Sequence, residues 1–420
     1  MRKNRFNCLA TALAGSVGLA GCALNAPPTA YELRQQALPN TRVPAAYKAG
    51  DVKPLTPVAD RWLESFEDPY LYQLVDEALG HNADLQVAAA RVEQAGGYLK
   101  VASGALMPAV GVAAAGGGKS GGSGGLDGVW LNASLELDVW GRLRYGQSAA
   151  RQQAAAVAAD FTYARQSLAA TVAKSWFLAI EAGQQRAIAQ ETVRTAEALL
   201  RVAQERARVG NGNEQAVVEA RVNSASARDR LRQIELAREQ ALRSLELLLG
   251  RYPAAEIGVV ERLSTLPAPA PVGLPSELLE RRPDVVAAER RVAAAFDRVG
   301  EARAAQLPRI SLTAGGSSVS SDLIVLKDTS SPIWSLGANL IAPLYQGGAL
   351  RAQVEIRTAE QKQAVAEYAR IGQRAFAEVE SALSAETALR DRQDILEASV
   401  RDSARALEIA QIQFRVGSVD

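Results

Sequence analysis

The placement of proline constrains this chain more than any other feature. All seventeen prolines lie outside residues 109–252 and 344–420. A proline inside a helix removes a hydrogen bond and clashes with the preceding turn, at a cost of about 3 kcal/mol or more. Within these stretches the chain is rich in Ala, Gln, Arg and Glu, which propagate helix well. One helix from Trp140 to Val209 would span roughly 105 Å at 1.5 Å per residue. It must stop at Gly210-Asn211-Gly212-Asn213, where left-handed backbone is available at little steric cost. Helical composition resumes at Glu214 and runs to Leu249, so "RARVGNGNEQ" at 206–215 reads as the tip of a long helical hairpin.

The chain is also written twice. Asn82-Ala83-Asp84-Leu85 with Arg91-Val92 aligns with Arg282-Pro283-Asp284-Val285 and Arg291-Val292, and Met107-Pro108 with Leu307-Pro308, all at a separation of 200. Arg208-Val209-Gly210 aligns with Arg415-Val416-Gly417 at a separation of 207. Each copy has a helix of roughly twenty residues ending at a proline, a glycine-rich segment with alternation, and a long helix. The repeats are placed at 81–250, with a β-hairpin over 109–139 and a tip near 210, and at 281–420, with a β-hairpin over 309–343. Residues 251–280 link them, and 22–80 form an N-terminal segment.

In 129–139 the apolar Val129, Leu131, Ala133, Leu135, Leu137 and Val139 alternate with Trp130, Asn132, Ser134, Glu136 and Asp138. A weaker alternation runs through 334–342, and 109–116 and 309–318 supply partner strands. The linkers 117–128 and 319–332 are rich in glycine and serine and suit exposed loops. Strands of about ten residues with one apolar face fit a transmembrane barrel. They equally fit soluble hairpins packed on helices. Four strands cannot close a barrel, which takes about eight, and open edges are not tolerated in lipid. Either the hairpins are soluble or several chains pool their strands.

Lys and Arg number 47 against 46 Asp and Glu, so no net field favours nucleic acid. One His, two Cys and two Met leave little for metal sites or Cys/His nucleophiles, and no enzyme or cofactor is expected. His81, before Asn82 at an expected helix start, reads as a surface or capping residue. Residues 1–21 have a basic start and an apolar stretch from Phe6 to Ala20, as in a secretory signal. Leu19-Ala20-Gly21-Cys22 resembles the bacterial lipobox, which implies that Cys22 is lipidated and becomes the first mature residue. Ala23 follows where an Asp would favour retention in the inner membrane, so the resemblance implies transfer to the outer membrane. With Cys8 removed, no disulfide remains available. No stretch offers eighteen consecutive apolar residues, so no transmembrane helix is expected.

Several stretches resemble the outer-membrane factor family, specifically the lipoprotein channels of tripartite pumps of the RND type. They are the lipobox, "WLESFEDPYLYQLVDEALGHNADLQVAAARV" at 62–92, "LELDVWGRLR" at 135–144, "GLPSELLERRPDVVAAERRVAAA" at 273–295 and "PLYQGGALRAQ" at 343–353. The resemblance implies an α+β membrane fold: duplicated helical hairpins form a periplasmic α-barrel, and four strands per chain join a homotrimeric, twelve-stranded barrel in the outer membrane. It implies a passive exit duct for drugs or other small molecules, served by a periplasmic adaptor and an inner-membrane transporter. Carried over residue by residue, Arg208, Val209, Gly210, Arg415, Val416 and Gly417 match the tip that receives the adaptor. Trp130 and Trp334 at strand starts, and Trp140 and Tyr345 at strand ends, are read as belt aromatics in the lipid bilayer, with plain packing as the alternative. The family continues past its second tip with a returning helix, so a chain ending at Asp420 is expected to be a shortened form. The competing readings are a lipid-anchored periplasmic adaptor, which carries one hairpin rather than two, and a coiled-coil scaffold, which needs no amphipathic strands.

Overall fold

The computed structural model describes residues 24–49, 62–115, 127–259, 262–267, 273–320 and 333–416, so Cys22 and Gly417 lie outside the described residues. In chain order the elements are α1 (Ala30–Ala37), a 3-10 turn (Trp62–Phe66), α2 (Pro69–His81), α3 (Ala83–Gly104), β1 (Ala109–Ala115) and β2 (Asp127–Leu137). Then follow α4 (Arg142–Arg208), α5 (Glu214–Leu248), α6 (Pro275–Arg281), α7 (Pro283–Ala304), β3 (Arg309–Ser320), β4 (Ile333–Ile341) and α8 (Ala349–Arg415). The duplication is visible in the lengths. Helices α3 and α7 have 22 residues each, and α4 and α8 have 67 each. An ideal helix of the length of α8 extends about 100 Å. Among the described residues no helix is long and apolar enough to cross a membrane.

The chain divides into two compact units that do not follow the repeat boundaries. One comprises Lys53–Arg91 and Asp160–Gly273. Its core gathers Leu71, Leu74 and Val75 of α2, Val172, Trp176 and Ile180 of α4, and Leu242 and Leu245 of α5. Each such side chain, taken fully from water, contributes about 1.5–3 kcal/mol. Trp176 donates its indole N–H to Asp68 Oδ2 at 2.8 Å, while Asp68 Oδ1 accepts from Tyr70 N and Leu71 N and so caps α2. The α2–α3 joint turns on Asn82. Its Oδ1 accepts from Leu85 N at 3.0 Å, and its Nδ2 donates to Leu248 O at 3.0 Å. His81 closes α2 rather than opening α3, with Nδ1 3.0 Å from Glu77 O. Buried Glu246 accepts from Ala255 N at 2.6 Å and Glu256 N at 2.7 Å, which fixes the linker to the end of α5.

The other unit comprises the chain up to Val52, Val92–Ala159 and Leu274 onward. Its helical core joins Leu33 of α1, Leu279 of α6, Val285, Ala288 and Val292 of α7, and Tyr368 and Ala375 of α8. Burial pushes the Tyr368 hydroxyl up to about 12. The "RRPDVV" block works here. Pro283 sits in the first turn of α7, where its missing N–H is not needed. Arg282 bridges Asp284 at 2.9 Å and Glu378 of α8. Burial opposes the Arg282 charge, but these carboxylates outweigh it and hold the guanidinium above its ordinary value.

This unit also holds the sheet. Its four strands are antiparallel in the order β1-β2-β3-β4, so the hairpin from each repeat is joined to the other through β2 and β3. Strands β1 and β4 are its edges among the described residues.

Candidate functional site: the sheet, its helical joint and the tip

Paired residues in an antiparallel sheet share a face, so the register sorts the side chains. Val110 and Val112 oppose Ala133 and Leu131, and Leu131, Ala133, Leu135 and Leu137 oppose Gly316, Ala314, Leu312 and Ile310. These in turn oppose Trp334, Leu336, Ala338 and Leu340. The face is apolar across every strand, and it is open: Leu336 is 86% exposed and Trp334 73% exposed. Trp334 also shields Gly316, where an added Cβ would lie 2.9 Å from its ring.

The opposite face is polar or small over its central rows, with Ile341 beside Arg309 at the end nearest the helices. Gly111, Asn132, Gly315 and Ser335 form one row, and Ala109, Ser134, Thr313 and Gly337 the next. Glu136, Ser311 and Asn339 form a third, nearer the helices. The register separates the predicted aromatics. Trp130 opposes Ala113 and Ser317 on this polar face, whereas Trp334 stands on the apolar one.

Where β2 gives way to α4, "LELDVWGRLR" forms a dense joint. Arg142 grips Glu136 with two hydrogen bonds, at 3.1 and 2.8 Å. Asp138 accepts from Leu143 N and Arg144 N, capping α4, and pairs with Arg144 Nε at 3.0 Å. Gly141 has φ +78°, and a Cβ there would lie 2.5 Å from Leu24 Cδ2. Tyr145 Oη accepts from Asn25 N at 2.9 Å. Trp140 donates its indole N–H to Pro308 O at 2.8 Å, which ties β2 to the entry of β3. Tyr345, 88% exposed, follows β4 just before α8. The sequence reading missed the Glu136–Arg142 and Asp138–Arg144 pairs. Their signal was two acid–base pairs, each six residues apart, straddling a glycine.

At the tip α4 ends in a Schellman motif. Gly210 N donates to Ala207 O at 3.2 Å, Asn211 N donates to Arg206 O at 2.9 Å, and Gly210 has φ +79°. Asn213 starts α5, its Oδ1 accepting from Ala216 N at 2.8 Å. Val209 is left exposed, and Arg208 reaches back to Glu205 at 2.7 Å. In the second copy α8 runs to Arg415, and Val416 is exposed. Among the described residues no group of three or more His, Cys, Asp or Glu is placed to hold a metal.

With this geometry in hand, the chain matches the family model described as outer membrane efflux protein over residues 74–251 and 274–420. It is 33% identical over 372 residues to the cation efflux system protein CusC of Escherichia coli K12, a match covering 85% of this chain and 80% of that protein. It is 30% identical over 416 residues to the probable outer membrane lipoprotein SilC of Salmonella typhimurium, covering 94% and 85%. The solved CmeC outer membrane channel of Campylobacter jejuni superposes with a TM-score of 0.84 at 25% identity, covering 95% of this chain and 86% of that one.

Proposed function

The chain belongs to the outer membrane efflux protein family, and we propose that three copies of it form one passive duct across the outer membrane and the periplasm. As a member of the family it is an outer-membrane efflux channel of α+β fold with duplicated helical hairpins. The observation that carries the trimer is the sheet. One face is apolar on all four strands, the other is mostly small and polar, and among the described residues both edges are open. Lipid meets the first face and water the second. Four strands are too few to close, and three copies supply twelve.

The remaining roles are part of the same proposal. Trp334, at the end of the sheet away from the helices, suits the outer aromatic girdle. Trp140 and Tyr345, beside the joint, suit the inner one. Cys22, two residues before Leu24 at the joint, carries the lipid anchor. The 22–80 and 251–280 segments belt the helices. Arg208, Val209, Gly210, Arg415, Val416 and Gly417 form the periplasmic entrance that receives a helical adaptor, which links the duct to an inner-membrane transporter of the RND type. The exposed Leu396, Val400 and Leu407 of α8 are further apolar surface for helix packing in the assembly. The cargo is a drug or other small molecule passing down a water-filled bore.

Reconstitution of the purified protein into planar bilayers tests this reading. Discrete conductance steps from a species that crosslinks as a trimer are expected. Monomers without conductance would sink it.

A further inference from the structure

We propose that Trp130 sets the narrowest point of the β-barrel, so that three indoles, one from each copy, form a size-limiting ring near the outer end of the pore. The inference rests on the trimeric barrel proposed above. On the face assigned to the lumen, Trp130 is the one aromatic among the described side chains. The two rows between it and the Glu136 row are Gly, Ala, Ser, Thr and Asn, and its partner across the β1–β2 hairpin is Ala113. Twelve strands about 4.8 Å apart and tilted by about 40° place the backbone roughly 12 Å from the barrel axis. Glycine, alanine and serine leave nearly all of that radius to water. Indole, the bulkiest side chain, takes up much of it.

The position along the strand matters as much as the face. Trp130 lies about 24 Å along β2 from Leu137, where the strand gives way to the helical joint. It therefore sits toward the far interface, beyond the paired Glu136 and Arg142 at the joint. An uncharged ring there rejects by cross-section and leaves cations and anions equally free to pass.

Single-channel conductance and the largest neutral polymer that enters the pore report this directly in the reconstituted full chain. Trp130→Ala is expected to raise conductance about 1.5-fold or more and to admit larger polymers, as lumen substitutions in barrels alter permeation. Adding Ala113→Trp to that variant returns an indole to the same level and face, and is expected to bring both readouts back toward the wild type. Leu336→Ala, on the lipid face, is expected to leave both unchanged. If Trp130→Ala fails to assemble, Trp130→Phe removes only part of the ring and is still expected to raise conductance. Wild-type conductance and polymer cut-off in the assembled Trp130 variants would overturn the proposal. Wild-type protein that conducts nothing would overturn the channel reading first, and this ring with it.

Discussion

At the scale of single residues the two repeats have drifted into different environments. Asp297 of α7 is 1% exposed, and its Oδ2 has no hydrogen-bond partner. Its counterpart 200 residues earlier is Gly97, which is exposed. Burial pushes the Asp297 carboxyl upward, with Ser148 opposing through a hydrogen bond. A carboxyl raised in the folded state binds its proton more tightly there than in the unfolded chain. Its contribution to stability is fully present below the ordinary Asp value of about 3.9 and is lost as pH rises through the elevated folded value. Asp297→Asn keeps the polar group and cannot ionise. It should match the wild type in thermal stability near pH 4 and exceed it at pH 8, as read by thermal denaturation of the purified channel across pH. A wild-type profile that rises with pH more steeply than that of the variant would refute the assignment. This residue was not legible beforehand, because the repeat pairs positions in sequence without saying which helix covers them. Trp130 and Trp334 teach the same lesson. Both lie in the first half of their strands, and only the register puts them on opposite faces.

Elements were far more legible than residues, because proline and glycine act locally. The expected stop of the first long helix at Val209 and restart at Glu214 agree with α4 ending at Arg208 and α5 beginning at Glu214. The start of α4 moved from the expected Trp140 to Arg142, since Gly141 is left-handed and Asp138 caps the helix beyond it. The strands were legible as alternation, but the pairing of β2 with β3 was not, since it joins segments from different repeats. At the tip, Gly210→Pro is a sharp test of what the motif is for. Proline holds φ near −65°, cannot adopt +79°, and lacks the N–H that Gly210 gives Ala207 O. The local cost is about 1–3 kcal/mol. Adaptor crosslinking at the tip should fall several-fold while trimer formation is unchanged. Crosslinking equal to the wild type would reduce the motif to a helix cap.

For the whole molecule the decisive question is what meets the two open edges of the sheet. An exposed edge presents unpaired N–H and C=O groups, each costing several kcal/mol in hydrocarbon. Strand β1 has its inner side on β2, and β4 has its inner side on β3, so closure by copies of one chain requires β1 of each to pair with β4 of the next. That contact is head-to-tail, and rotation closes it into a ring. It makes a prediction that conductance alone does not. Cysteines at Gly111 or Ala113 on β1, combined with one at Ser335, Gly337 or Asn339 on β4, all lie on the polar face. With Cys8 and Cys22 as the only native cysteines, oxidation of the right pair should give a ladder of covalent dimers and trimers and nothing larger. The same cysteines placed singly should give no trimers, because β1 would never meet β1. Pairs that form disulfides only within one chain would mean that the sheet curls on itself. A ladder continuing past three copies would mean an open array and exclude a twelve-stranded ring. Disulfides confined to one register, with neighbouring pairs silent, would also fix the stagger between copies, which no single chain contains.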